Sequence, residues 1–346
     1  MAPDLMSLKT NPSFANRRAL SRYLSVALLL AALASAITLR AEVCQTGEDL
    51  DATTKAALET TARHYFDLAA KSDIEGLRAA SIPSIAADFS GIAAAIKDNQ
   101  SVLTGATATP KSSFLLSAEG TAPIERAEFL CGVFGKNGQT PTSAVFVLNG
   151  LPPGKYAVVI LDVTATDGLY KLSLVLQQIG ADWKLGGFYL KAARSAGHDS
   201  AWFAEQARAF KAKAQLRNSW LYFAEARNLA SPIPFMSTME TDRLYDETQL
   251  VLPTDFPGDR PLDLIAEGKT YHIKVMFAFG IAGEVNLVVK YDSADVSNVA
   301  AAYADNQAVA KALLAKFPEF KDGFGALIPR ATEPSGKDYG TLVPTK

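Results

Sequence analysis

The feature that most constrains the fold is a series of six strand-like segments between positions 113 and 190. Most of them alternate apolar and polar residues, as in Tyr170, Leu172, Leu174 and Leu176, which is the period of a half-buried β-strand. One segment, 155–162, is apolar on both faces and is therefore predicted to be a central strand. Because short turns join neighbouring segments, we predict an antiparallel sheet. The six segments are 113–118, 125–133, 143–148, 155–162, 169–178 and 183–190.

Helical patterns come before the strands. Leu58, Ala62 and Tyr65 follow one another at steps of four and three residues, which predicts a helix over 51–70. Two shorter helices are predicted over 73–80 and 85–96. Helices followed by a run of antiparallel strands are typical of the α+β class, so we expect N-terminal helices packed on a curved antiparallel sheet.

This order of elements, which ends in the sequence DWKLGGFYL over 182–190, resembles the nuclear-transport-factor-2-like superfamily across 48–193. The resemblance implies a domain over 42–193 in which a curved sheet wraps against helices and forms a cone with an interior pocket. The superfamily has no shared catalytic motif. It includes enzymes such as ketosteroid isomerase and dehydratases, and many non-catalytic binding or association domains.

Asp162 is the candidate catalytic residue. It ends an otherwise apolar strand, where desolvation would raise its pKa and suit it to act as a base. Ketosteroid isomerase combines such a base with an oxyanion hole, and Tyr156 and Tyr189 lie on strands that could face the same cavity. The alternative is structural: Asp162 belongs to the hairpin turn over 162–168, where aspartate is common.

The middle of the chain, 194–240, is predicted to be a helical hairpin that connects two α+β modules. Helices are expected over 202–214 and 218–229, ended by Pro232 and Pro234. The pair resembles a single tetratricopeptide-like repeat. Because such repeats generally stack in arrays, a lone hairpin is expected to pack on its neighbours, with peptide binding as the second interpretation.

The last part of the chain, 241–346, is predicted to be a small β-hairpin plus one helix. Residues 271–279 and 285–291 both alternate, and a helix is expected over 295–317. The tail from Ala331 is rich in proline, glycine and threonine and is expected to be extended.

The N-terminus resembles an export signal. Arg17, Arg18 and Arg22 precede an uncharged apolar run over 23–39. Cleavage sites are expected after Ala36 or Ala41, so 1–41 is predicted to be a signal peptide with a long basic region. The protein is therefore expected in a bacterial periplasm or outside the cell. The alternative is a single N-terminal membrane anchor, which would be the chain's one contact with a membrane.

Export would bring the two cysteines, Cys44 and Cys131, into an oxidising compartment. They allow one intramolecular disulfide, which would tie the N-terminus of the mature protein to a strand. The alternative is one exposed thiol and one buried core cysteine.

Composition argues against several functions. The chain has 34 basic and 36 acidic residues, so no basic excess favours nucleic acid as a partner. Three histidines and two cysteines without metal-ligand spacing predict no metal site, and no motif predicts a cofactor.

The sequence as a whole predicts an exported, non-catalytic protein of the cell envelope that binds a small apolar ligand or assembles with an envelope protein. Two alternatives remain open: an isomerase- or dehydratase-type enzyme that uses the cone pocket, and a scaffold that binds a peptide on the helical hairpin. A carboxylate facing an enclosed pocket would favour the enzyme. A filled cone and an exposed aromatic groove on the hairpin would favour the scaffold.

Overall fold

The computed structural model describes residues 42–133 and 138–346. The predicted signal peptide and the alternative membrane anchor, both over 1–41, lie outside the described residues. The described chain combines mainly antiparallel sheets with several helices, which confirms the α+β class.

Five helices follow the first short strand in the described part of the chain. The longest begins where the side chain of Asp51 accepts a hydrogen bond from the Thr54 N–H at 2.9 Å, which caps the helix N-terminus. The single helix predicted over 85–96 is divided, because Asp88 accepts two hydrogen bonds from Ser90 and starts a new helix there. The helices are α1 (Ala52–Ala70), α2 (Ile74–Ala79), α3 (Pro83–Ala87), α4 (Ser90–Asp98) and α5 (Gln100–Leu103).

The six strands predicted between 113 and 190 form two sheets together with two short strands, over 42–46 and 236–237, which were not predicted. The larger has five antiparallel strands in the order β1-β2-β5-β6-β7, and the smaller has the order β3-β4-β8. Their bounds are β1 (Glu42–Thr46), β2 (Thr107–Ala118), β3 (Ile124–Cys131), β4 (Ala144–Leu151), β5 (Gly154–Ala165), β6 (Gly168–Ile179), β7 (Asp182–Ala192) and β8 (Met236–Ser237).

The five-stranded sheet is covered on both faces. Helices α1 to α5 pack on one face, where Ala157, Val159 and Leu161 of β5 lie in their core. The small sheet packs on the other face, against Val158 and Ile160. This double burial explains why the sequence of β5 is apolar throughout.

A disulfide between Cys44 of β1 and Cys131 of β3 joins the two sheets, with the Cα atoms 4.8 Å apart. The two cysteines are 87 residues apart in the sequence. The structure thus brings together the two cysteines that the sequence singles out.

Three helices and a short strand follow the large sheet: α6 (Ser200–Ala212), α7 (Leu216–Ala230), β8 and α8 (Met239–Gln249). Asp199 caps α6 by accepting a hydrogen bond from the Trp202 N–H at 3.0 Å. Helices α6 and α7 are the predicted hairpin, and α8 was not predicted.

The C-terminal part contains more strands than predicted. It forms a sheet in the order β13-β12-β11-β10-β9, with β14 also paired to β12. Strand β12 runs parallel to β11, because α9 crosses back between them. The tail expected to be extended is held in the sheet, where Arg330 makes two hydrogen bonds to Asp338. The elements are β9 (Leu262–Ala266), β10 (Lys269–Ile281), β11 (Glu284–Asp292), α9 (Val299–Lys316), α10 (Phe320–Gly323), β12 (Ala326–Thr332), β13 (Asp338–Gly340) and β14 (Val343–Pro344).

The helical hairpin and the C-terminal sheet share one hydrophobic core, which includes Phe210, Tyr222, Leu287 and Phe320. The Tyr222 hydroxyl donates a hydrogen bond to the Gly323 carbonyl. The buried Asn218 side chain likewise donates to the Glu319 carbonyl at 2.6 Å. The hairpin is therefore fixed to the C-terminal part by both apolar and polar contacts.

Candidate functional site

The space between the N-terminal helices and the five-stranded sheet is filled by side chains. Leu58, Ile96, Leu161 and Leu172 are among the residues there that expose no surface. A cone-shaped fold would place its ligand in this space. Here apolar side chains, both aliphatic and aromatic, occupy it instead.

Asp162, the candidate base, lies on the other face of the sheet. Its neighbours Leu161 and Val163 face the helices, and successive side chains of a strand point to opposite faces. Asp162 is half-buried and lines a polar pocket of about 480 Å³ that also contains Lys171, its cross-strand neighbour, and Arg194. Its carboxylate is therefore surrounded by charged and polar groups rather than by an apolar enclosure.

The two tyrosines proposed to work with Asp162 are remote from it. Tyr156 is six residues away on the same strand, about 20 Å at the rise of an extended chain. It is buried, and its hydroxyl donates a hydrogen bond to the Pro152 carbonyl at 2.8 Å. Tyr189 lies two strands away and packs edge-on against Phe235, with ring centroids 5.7 Å apart. The structure does not bring these three residues together as a site.

The candidate site is instead an open groove of about 750 Å³ between strand β7 and helices α7 and α8. We call it the β7–α7 groove. Its lining is mostly apolar and aromatic. Its residues come from β7 (Phe188, Tyr189, Leu190, Lys191), α7 (Trp220, Ala224, Arg227, Asn228), the segment 231–236, α8 (Thr241, Tyr245, Thr248, Gln249) and, beside them, Ala95 of α4 and Leu252.

The segment after α7 builds one side of this groove. Pro232 and Pro234 prevent the helix from continuing, and the Ser231 hydroxyl donates a hydrogen bond to the Ile233 carbonyl at 2.9 Å. Ile233 and Met236 are buried in the core beneath the small sheet and so anchor the segment. A turn held at both ends in this way gives the groove a fixed wall.

Large apolar side chains remain exposed around the groove. Tyr245 is 46% exposed and Leu252 is 53% exposed. Leu250, just after the end of α8, is 72% exposed. Exposed large apolar side chains beside a groove are typical of sites that bind another molecule.

Two cations, Lys191 and Arg227, are the charged side chains among the described residues that line the groove. The Lys191 ammonium donates hydrogen bonds to the Asn228 carbonyl and, at 3.0 Å, to the Ser231 carbonyl, at the C-terminal end of α7. The Arg227 guanidinium lies over the Tyr245 ring, 5.0 Å from its centroid. Within the described residues Arg227 makes no ion pair.

A buried carboxylate lies on α7 close to Lys191. Burial raises the pKa of Glu225, whereas hydrogen bonds from Asn228 and Ser195 and the charge of Lys191 act in the opposite direction. Burial also lowers the pKa of Lys191, partly offset by the charge of Glu225. Because Lys191 already has these partners, Arg227 is the cation of the groove that can receive a new anion.

Other kinds of site find little support in the described part of the chain. No group of three or more histidine, cysteine, aspartate or glutamate side chains is placed to hold a metal ion there. His198 stacks on Trp202, with ring centroids 3.6 Å apart, and His272 contacts Asp263. None of the described helices is long and apolar enough to cross a membrane.

Sequence reasoning identified only part of the groove. The hairpin, whose second helix contains Trp220, was predicted together with the two prolines that end it, whereas helix α8 with Tyr245 was not. A signal for α8 exists in the sequence: Thr238 and Thr241 form a reciprocal capping box, with the Thr238 N–H donating to the Thr241 hydroxyl at 2.7 Å. The neighbouring β7 edge could not be found in this way, because it depends on strand order.

Comparisons of the chain with protein-family models, curated proteins and solved structures give no match. The resemblances to the nuclear-transport-factor-2-like superfamily and to a tetratricopeptide-like repeat therefore stay predictions, and the candidate function rests on the geometry of the site.

Proposed function

We propose that this chain is a non-catalytic binding protein of the cell envelope, whose β7–α7 groove holds an extended segment of a partner polypeptide. The observation that carries the proposal is the open, aromatic groove beside the helical hairpin. The filled space between helices and sheet supports it further, since that space was the alternative place for a ligand.

A partner segment suits this groove better than a small molecule does. Small-molecule pockets are usually enclosed and bury most of the ligand surface. Here Tyr245 and Leu252 are about half exposed, so a compact ligand would leave much of the apolar lining in water. A chain segment can cover the groove and the exposed residues beside it.

The isomerase or dehydratase alternative has less support. It needs a carboxylate and an oxyanion donor around one enclosed cavity. Asp162 instead lies among charged groups on the opposite face of the sheet, and neither tyrosine is near it.

Site-specific photocrosslinking in the host tests groove binding. A benzophenone side chain at position 245 or 252 is expected to form protein adducts, and mapping the crosslinked peptide should identify one segment of one partner. The same group at Leu130, which is 51% exposed on β3, is the matched control. Equal adducts at all three positions, or none at 245 and 252, would contradict the proposal.

A second variant checks that the groove itself is responsible. Ala224→Phe adds a ring inside the groove and should abolish the adducts at position 252. Ala201→Phe, on the exposed side of α6, should leave them unchanged.

The intact mass of the same protein purified from the envelope tests export, which predicts a chain beginning after Ala36 or Ala41.

A further inference from the structure

Strand β7 is an edge strand of the five-stranded sheet. Its first half is already covered: the Leu185 N–H donates to the Ala80 carbonyl at 3.0 Å, and the Leu185 carbonyl accepts from the Ile82 N–H at 2.9 Å. The second half continues past this contact into the β7–α7 groove, where Phe188 to Lys191 form part of the lining.

The main chain of Phe188 and Leu190 points into the groove. The Ala193 N–H donates to the Leu169 carbonyl opposite it at 2.8 Å. Hydrogen-bonded and non-bonded pairs alternate along an antiparallel ladder, so the main chains of Lys191 and Tyr189 also bond to β6. The N–H and C=O groups of Leu190 and Phe188 therefore face away from β6. Within the described residues, no other part of the chain bonds to these outward groups.

An unpaired strand edge inside an apolar groove is suited to one kind of ligand. An added strand would satisfy the outward main-chain groups of Phe188 and Leu190 and place alternate side chains on the two sides of the sheet edge. One side is bounded by Ala95 of α4, and the other by the aromatic residues Tyr189 and Tyr245.

Charge identifies a second property of that ligand. Arg227 lies on the Tyr245 ring with its guanidinium exposed, and no carboxylate is found among the described residues that line the groove. A guanidinium held against an aromatic ring presents several donors in a plane, which match the two oxygens of a carboxylate.

Resting on the function proposed above, we infer that the partner segment enters the groove as a β-strand, pairs with the outward main chain of Phe188 and Leu190, and carries a carboxylate that binds Arg227. The ligand class is thus a short extended peptide with apolar residues at alternate positions and one acidic residue. Four residues of added strand would span about 13 Å along β7.

Synthetic peptides test this inference. The probes are six acetylated and amidated hexapeptides of alternating valine and threonine, with one glutamate moved through the six positions, and matched peptides with glutamine. At least one glutamate peptide is expected to bind. Methylation of its alternate main-chain nitrogens should weaken binding by about tenfold or more, because methylated nitrogens cannot donate to β7.

Arg227→Gln tests the carboxylate contact. It should weaken the binding of the glutamate peptide by about tenfold and change the binding of the glutamine peptide by less than about twofold. Arg63→Gln, an exposed arginine on α1, is the control for nonspecific charge. Isothermal calorimetry measures the affinities, and circular dichroism confirms that the variants fold.

Three results would overturn the inference: no binding by any of the six peptides, equal binding after main-chain methylation, or equal binding to Arg227→Gln. Displacement of all peptides by dodecanoate with no peptide selectivity would assign the groove to an amphiphile. A dimer broken by Arg227→Gln would assign it to a second copy. The photocrosslinking experiment tests groove binding separately. If adducts form at position 252 but methylation does not change the affinity of the peptides, groove binding is retained and strand pairing is rejected.

Discussion

At the scale of single residues, the most informative are Lys191, which lines the groove, and the buried Glu225 near it. Glu225 is buried and Lys191 is half-buried, and burial raises the pKa of Glu225 and lowers that of Lys191, which in both cases favours the neutral form. Each also has hydrogen bonds: Glu225 accepts from Asn228 at 3.1 Å, and Lys191 donates to two carbonyls at the end of α7. The pair therefore fixes the end of α7 against β7, at the cost of removing two charges from water.

The raised pKa of Glu225 gives a stability prediction. A folded state with a raised carboxyl pKa binds its proton more tightly than the unfolded state. The resulting stability is present below the ordinary glutamate pKa of 4.5 and is lost as the pH rises through the raised value. Glu225→Gln should therefore match the parent protein at about pH 3.5 and exceed its free energy of unfolding at about pH 7.

Urea unfolding at the two pH values measures this difference. Glu205→Gln, at an exposed position on α6, is the matched control and should change stability by less than about 0.5 kcal/mol. A Glu225→Gln variant that is less stable than the parent at about pH 7 would show that the charge of Glu225 is needed and would contradict the prediction.

At the scale of elements, the disulfide links strands of two different sheets. Cys44 belongs to β1, at one edge of the large sheet, and Cys131 ends β3 of the small sheet. Residues 134–137, which follow β3, lie outside the described part. The bond thus adds a covalent connection to the apolar contact between the sheets, where Phe114 and Phe146 pack with ring centroids 5.1 Å apart.

Removal of the disulfide should destabilise the protein. A link across 87 residues restricts the unfolded chain, and such bonds typically contribute about 2–4 kcal/mol. The double variant with serine at positions 44 and 131 is expected to lose about this much free energy of unfolding. Parent protein treated with reductant before unfolding serves as the matched comparison.

Thiol labelling of the unreduced, denatured protein tests the bond directly. No free thiol is expected in protein purified from an oxidising compartment. Labelling of both cysteines would contradict the pairing, whatever the stability of the serine variant.

At the scale of the whole molecule, the helical hairpin and the C-terminal sheet form one packed unit. Tyr222 contacts Phe203, Phe210 and Phe324. Phe320 is fully buried in the same core. The hairpin was predicted to connect two modules. The shared core shows that its side chains also pack with those of the C-terminal part.

This shared core predicts cooperative opening of the two parts. Phe320→Ala should lower the free energy of amide exchange for α7 and for β11 by similar amounts, about 3–5 kcal/mol. Hydrogen exchange followed by mass spectrometry measures both. Leu130→Ala, at an exposed position on β3, is the control and should change neither. A loss of protection in β11 alone would show that the hairpin opens independently.

Local patterns were sufficient for the fold class and for most elements. The two-residue period predicted β6, β10 and β11, the continuous apolar run predicted β5, and the steps of three and four residues predicted α1, α6 and α7, because each pattern reflects which sides of one element are buried. Such patterns depend on neighbouring residues in the chain, so the sequence alone determined them.

The arrangement of these elements depended on contacts between distant residues. The sequence did not reveal that β3 and β4 leave the large sheet, or that β12 pairs in parallel with β11 across helix α9. It also could not show that Asp162 faces away from the helices, because a strand has two faces and its partners decide which one is enclosed.

The site shows the same division. The sequence predicted the hairpin and the two prolines that end it, since helix stops are local signals. Only the tertiary structure placed the β7 edge beside α7 and Arg227 over Tyr245, on a separate helix. The sequence by itself therefore determined the elements of this protein, whereas tertiary packing decided which strand edge is left unpaired and which side chains surround it, because edges and grooves arise only when elements meet.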